Sequence, residues 1–285
     1  MKFAYYPGCT AKSTAIEYHE SVEETTRYLG VELKEIPDWN CCGASSSHAI
    51  NNELALSLSG RNLALADEMS LDMVIICPSC LHRHKIAQKE FIRDPHLRTQ
   101  IERDIGSSLS ISQKIKHILE VLYCDVGIDL IKKRKKRSLR GLKAVIYYGC
   151  YLARPPEMMP FDKAENPTAL DKMMEALDVE VLDWSYKLDC CGAGLSLTNP
   201  EMIRPLVKKI LSSAIEEGAD AIITACHLCQ TNLDIFQTNY QNSNKIPVVF
   251  FSELTAFSLG SLQTKKWLGR HFVNHSASLR KLQVL

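Results

Sequence analysis

Cys41-Cys42-Gly43-Ala44 is written a second time as Cys190-Cys191-Gly192-Ala193, and that repetition decides the architecture. After each pair, 34 residues intervene before a CxxC: Cys77-Pro78-Ser79-Cys80 in the first half and Cys226-His227-Leu228-Cys229 in the second. A single cysteine precedes each pair, Cys9 with 31 residues between and Cys150 with 39. Ten of the eleven cysteines thus belong to two copies of one five-cysteine pattern, and the last four positions are offset by a constant 149. The flanks repeat too, Tyr5-Tyr6-Pro7-Gly8-Cys9 against Tyr147-Tyr148-Gly149-Cys150. Self-similarity of this kind marks a duplicated folding unit.

Hydrophobic patterning predicts the same element order in both units. Residues 2–6, 31–36 and 73–76 read as strands, and 14–29 and 51–70 as helices, with Leu54, Leu58, Leu65 and Met69 near one face of the second. In the second unit 144–148 and 179–182 read as strands, and 168–177 and 201–217 as helices. Ile203, Leu206, Val207, Ile210, Leu211, Ala214 and Ile215 form the core stripe of the last. The stretch 94–131 reads as helical, without a counterpart, and bridges the halves. The fold expected is α/β, two tandem pseudo-symmetric modules, each with a small, mainly parallel sheet flanked by helices. Residues 1–105 form the first module, 106–141 a helical connector and basic linker, and 142–285 the second module with a C-terminal helical tail. Cys9, Cys77, Cys150 and Cys226 each closely follow a strand, where open α/β sheets bind ligands. Glycines 8, 43, 149 and 192 relax the backbone near bulky ligands.

A chain of 285 residues is long enough for two cores. Its net charge of +1 gives no reason to expect nucleic acid or an acidic membrane as partner. The one basic run, 132–140, reads as a solvated linker, with docking of an acidic partner as the alternative; the apolar segment 248–259 is a second candidate docking surface. No signal-peptide pattern and no run of about 18 apolar residues occurs, so no membrane span and a cytoplasmic location are expected. In that reducing compartment such cysteines serve metal or redox chemistry in preference to structural disulfides. No nicotinamide fingerprint, P-loop or flavin motif is present, so electrons are expected from another polypeptide.

Five cysteines per set is the discriminating number. Tetrahedral zinc takes four ligands, as do ordinary cubane iron–sulfur clusters, and either would leave one thiol spare in each set. The adjacent Cys-Cys pair suggests ligands that reach different metal atoms or bridge one, which a multi-iron cluster accepts more readily than a single ion. Zinc in one module, holding a scaffold together, stays as the alternative.

On these motifs, and on the run Cys226-His227-Leu228-Cys229-Gln230-Thr231-Asn232-Leu233-Asp234, the chain resembles the family of heterodisulfide reductase B subunits, within the larger family of paired CCG domains. The resemblance implies that Cys9, Cys41, Cys42, Cys77 and Cys80 bind one noncubane [4Fe-4S] cluster, and Cys150, Cys190, Cys191, Cys226 and Cys229 a second. It implies an oxidoreductase in which the clusters themselves are catalytic, reducing a small-molecule disulfide to two thiols. The partners implied are the family's iron–sulfur protein, its C subunit, together with its flavin protein, the A subunit. Cleaving an S–S bond takes two electrons, so two facing clusters, one per module, suit the reaction. Related CCG proteins serve sulfur oxidation or thiol-dependent fumarate reduction, and a protein that only relays electrons is a further alternative.

Around the cysteines, His227 stands where the first CxxC has Pro78 and is the candidate proton donor; a plain polar contact is the alternative. His82 and His84 are weighed in the same way. Tyr5, Tyr6, Tyr147 and Tyr148 read as packing residues. Cys124, outside both sets, reads as a buried small hydrophobe.

Overall fold

Among the described residues, eight strands build two sheets of identical order. In the computed structural model, which describes residues 1–44, 47–109, 111–196, 198–239 and 245–273, the first sheet comprises β1 (Lys2–Tyr6), β2 (Glu32–Glu35), β3 (Met73–Ile75) and β4 (Ile115–His117), ordered β2-β1-β3-β4. The second comprises β5 (Lys143–Tyr147), β6 (Glu180–Leu182), β7 (Ala221–Thr224) and β8 (Val248–Phe250), ordered β6-β5-β7-β8. Every pairing is parallel. The chain is therefore α/β, with the helices of each module on both faces of its sheet.

Burial on both faces explains why the central strands are nearly all apolar. On β1, Phe3 and Tyr5 face one core while Ala4 and Tyr6 face another. On β5, Ala144 and Ile146 join Phe3 and Tyr5 in that first core, while Val145 and Tyr147 face a third. The two sheets thus share a central core, and each keeps an outer one of its own. The helices Ile16–Leu29 and Phe251–Leu259 pack against each other in the shared layer. Tyr18 stacks on Phe250 with ring centroids 4.3 Å apart. Ser21 Oγ lies 2.7 Å from Ser252 Oγ, and the Tyr18 hydroxyl donates to the Ala225 carbonyl at 3.1 Å. These buried polar groups are partnered across the module boundary, which fixes the register of one module on the other.

Four expectations are corrected. The stretch 94–131 is not wholly helical: after the helix Pro95–Ile105 comes β4, the edge strand of the first sheet. It has a counterpart, because β8 holds the same place in the second sheet and each strand runs directly into a helical segment, starting at Ile118 and at Phe251. A strand of three residues is too short to show a period of two. The helix Asn52–Glu68 buries Ala55, Leu56, Ser59, Gly60, Asn62 and Leu63 and leaves Leu54 exposed. Close approach of Phe91 and Ile101, 3.2 Å from where a Cβ on Gly60 would lie, selects small residues there, so the leucines alone misplace the face. In the helix Pro200–Glu216 the expected stripe is buried except that Leu206 is exposed and Ile215 partly so.

The basic run and the apolar segment also differ from expectation. Arg134 donates to the Tyr28 carbonyl, Lys135 pairs with Asp178 at 2.6 Å, and the Arg137 guanidinium lies over Phe257 and donates to the Ser261 carbonyl. Lys135 and Arg137 tie the run to the second module, while Lys132, Lys133, Arg134, Lys136 and Arg140 stay exposed to solvent. Segment 248–259 is buried throughout, as β8 and a core helix, and offers no docking surface. Cys124 is exposed, because the segment Val121–Gly127 winds as a π-helix that buries Val121 and Leu122 and turns Cys124 outward.

Candidate metal centres

Each five-cysteine set gathers at the carboxyl end of its sheet. In the first, Cys9 follows β1 and opens the turn Thr10–Lys12, Cys41 and Cys42 lie in the loop after β2, and Cys77 and Cys80 sit at the start of the helix Pro78–Arg93 after β3. Cys77 is the N-cap of that helix, its sulfur accepting from the Cys80 N–H at 3.3 Å, and Pro78 occupies the first turn, where a missing N–H costs nothing. In the second, Cys150 follows β5, Cys190 and Cys191 lie after β6, and Cys226 and Cys229 start the helix His227–Phe236 after β7. In both sheets the strand order reverses between the first and third strands, and the crevice there is the place for a ligand.

The sulfurs pair identically in the two sets. Cys9 and Cys41 are 3.9 Å apart and Cys42 and Cys80 3.1 Å; Cys150 and Cys190 are 3.7 Å apart, as are Cys191 and Cys229. Cys42, Cys77 and Cys80 are buried while Cys9 and Cys41 are exposed; Cys191, Cys226 and Cys229 are buried while Cys190 is exposed and Cys150 half-buried. Every set therefore has a closed end and an open end. Among the described residues no three His, Cys, Asp or Glu side chains converge on a point that would hold one metal ion. Sulfurs spread in pairs, five to a set, suit a group with several metal atoms better than a lone zinc.

Crowding divides the thiols into proton holders and thiolates. Hydrogen bonding with Cys42, then with Cys9, pulls the Cys41 thiol down to about 2, and the pairing with Cys41 pushes Cys42 up to about 12. Cys190, paired with Cys150, is pulled down to about 6. The thiolate is the metal-binding form.

The supporting residues are matched as well. Tyr6 donates to the carbonyl of Asn40 and Tyr147 to that of Asp189, the residues just before the two Cys-Cys pairs. Tyr6 and Tyr147 are therefore the equivalent tyrosines, and Tyr5 and Tyr148 both face the shared core; all four are buried. Asn62 clamps Asn40 through two hydrogen bonds of 2.9 Å, and Asn232 donates to the Cys191 carbonyl at 2.6 Å. A buried pair, Lys187 and Asp171 at 2.6 Å, holds the second set, since the Tyr148 and Gly149 amides donate to the Lys187 carbonyl. Sequence reasoning missed Asn62, Lys187 and Asp171, which lie outside the motifs; Asn232 lies inside the quoted run but only its contact shows its role.

Gly149 answers to close approach. Its φ is +70°, and a Cβ there would lie 2.9 Å from the Cys229 sulfur. Gly149→Ala is expected to cost roughly 1–3 kcal/mol of strain and to displace Cys229, lowering the metal content of the second set. Metal analysis and urea unfolding check both effects.

The histidines separate by position. His227 is buried, and its Nε2 lies 2.7 Å from Thr10 Oγ1 and 3.9 Å from the Cys77 sulfur, so a second-module residue reaches the first set. His84 is buried, held neutral by desolvation that pushes it down to about 4, with Nδ1 donating to the Cys80 carbonyl at 2.7 Å. His82 is partly exposed, its ring 5.1 Å from that of Tyr151, the residue after Cys150.

A family model described as "CCG: Cysteine-rich domain" matches residues 3–83 and 144–234. The chain is 30% identical to the membrane anchor subunit of the 8-methylmenaquinol:fumarate reductase of Wolinella succinogenes, over 91% of this chain and 92% of that one. It is 30% identical to a protein of Archaeoglobus profundus described as like the B subunit of heterodisulfide reductase, over 91% of each. With the B subunit of the ferredoxin:CoB-CoM heterodisulfide reductase of Methanosarcina mazei the identity is 25% over 99% of this chain and 97% of that one. A solved structure, a hypothetical protein from Helicobacter pylori, superposes with a TM-score of 0.73 at 12% identity and covers 95% of this chain, which spans 51% of that one; it shares the fold. Among the described residues no helix is long and apolar enough to cross a membrane.

Proposed function

Since the chain belongs to the CCG cysteine-rich domain family, we propose that it is the disulfide-reducing component of a heterodisulfide-reductase-like complex and works in the cytoplasm. Cys9, Cys41, Cys42, Cys77 and Cys80 hold one noncubane [4Fe-4S] cluster, and Cys150, Cys190, Cys191, Cys226 and Cys229 hold another. When bound, such clusters supply electrons one at a time. The overall reaction takes one disulfide, two electrons and two protons to two thiols, with the electrons drawn from iron–sulfur and flavin partner subunits.

The observation that carries this reading is the join between the sets. His227, next to Cys226 in the chain, contacts Thr10 and Cys77 of the other module, so a residue beside one closed end touches a sulfur of the other. Cys9, Cys41 and Cys190, with the half-buried Cys150, present the open ends to an incoming disulfide. The closed ends, walled by Tyr6 and Tyr147, exclude water from the remaining sulfurs.

Protein purified without oxygen is expected to hold about eight iron and eight sulfide per chain, and to convert a soluble disulfide to thiols with a reduced dye as donor. Stoichiometric zinc without sulfide would sink the proposal. A second reading, a protein relaying electrons in a quinol-linked fumarate reductase, is favoured by the 30% identity to the Wolinella succinogenes protein. It requires iron–sulfur clusters that are indifferent to disulfides and accept electrons from a quinol analogue.

A further inference from the structure

The two modules repeat each other closely in sulfur pairing and in strand order, and they differ at the second residue of the CxxC. The second module has His227 there and the first has Pro78. His227 is 4% exposed and Cys77 2% exposed, so their contact is closed to solvent. The Nε2 atom faces Cys77 at 3.9 Å and Thr10 Oγ1 at 2.7 Å, so its single N–H is shared between the sulfur and the hydroxyl of the residue next to Cys9. Pro78 has no N–H and no polar side-chain atom, so it cannot return the contact to the second set.

We propose that His227 is a positioning residue that hydrogen bonds the Cys77 sulfur from the opposite module and so makes the two centres electronically unequal, the first set having the higher reduction potential. This rests on the cluster reading above. An N–H donor stabilises negative charge on a ligand sulfur, and reduction adds negative charge, so the reduced state gains more than the oxidised state. Burial strengthens the effect, because no water competes for the sulfur. The second set, with Pro78 standing where a returning histidine would be, keeps the lower potential. The shared core makes the asymmetry possible, since 150 residues separate Cys77 from His227 in the chain.

The test is a redox titration followed by electron paramagnetic resonance on the full chain, purified without oxygen, as wild type, His227→Leu and His227→Gln. His227→Leu is expected to disfavour reduction of one couple about tenfold, ~59 mV for one electron, while the other couple stays in place. His227→Gln keeps an N–H donor and should restore most of the shift. If His227→Leu loses iron, Thr10→Val, which removes the competing acceptor for the single Nε2 proton, should raise the same couple by a smaller amount. Wild-type protein without iron overturns the cluster reading and this inference with it. Iron-replete variants in which neither couple moves, or both move equally, overturn this inference alone.

Discussion

Alanine at both Cys190 and Cys191 is expected to lower disulfide turnover at least ~100-fold and to leave about half of the iron. Cys191 is the buried partner of Cys229 and Cys190 the open partner of Cys150, so the double substitution removes one member of each sulfur pair. The first set keeps all its cysteines. The disulfide needs two electrons, and a chain with one intact set lacks the second donor at the moment the bond breaks. Cys41→Ala with Cys42→Ala should have the same effect from the other side, removing partners of Cys9 and Cys80. Two measurements on each full-length variant decide the matter: iron per chain and turnover of a soluble disulfide. Wild-type turnover in a folded variant lacking either pair would show that both sets are not needed.

Stability should fall as the pH rises from about 6.5 through about 9, and Glu253→Gln should remove that dependence. His271 and Glu253 form an ion pair of 2.9 Å with both side chains fully buried. Burial alone opposes charge on the imidazole, but Glu253, then Asp234 and Glu17, overcome it and push His271 up to about 9. Nε2 faces the Glu253 carboxylate and Nδ1 the Val248 carbonyl, each at 2.9 Å, so both can donate from a protonated ring, with the Gln230 amide nitrogen also 2.9 Å from Nδ1. A histidine whose folded value lies above its unfolded one gives its full stabilisation below the unfolded value. That stabilisation disappears as pH passes the folded value. A gap of this size is worth ~3 kcal/mol. Glu253→Gln strands a buried histidine and should cost roughly 3–5 kcal/mol at pH 6, and much less at pH 9.5. Urea unfolding of both proteins at the two pH values checks this, since the difference between them cancels the titration of the cysteines. An unchanged gap at pH 9.5 would refute the protonated pair.

The pair also shows why this cluster could not be read ahead of the fold. It joins the segment at His271 to β8 and to the helix Phe251–Leu259, with Phe272 and Val273 amides donating to Asp234, and nothing in the spacing of those residues announces it. The cysteines are different. Four of each set repeat at 149 residues, and Cys9, Cys77, Cys150 and Cys226 each follow a short apolar run, so duplication, parallel sheets and these cysteines at strand ends are all legible. Where local pattern ran out, expectation failed: at β4, too short to have a period; on the helix Asn52–Glu68, where close packing chose small residues over leucines; and at Cys124, turned outward by a π-helical segment.

What the chain by itself determined is the repeat, the element order and the five thiols each module carries, because these depend on covalent spacing and short-range periodicity. Tertiary structure alone decided that Tyr6 is the counterpart of Tyr147, that Lys135 and Arg137 of the basic run tie it to the second module, and that Phe251–Leu259 is core. It also decided that His227 meets Cys77. Those contacts join residues far apart in the chain and exist only because two sheets bury their inner faces against one another, a choice made by packing and not by spacing.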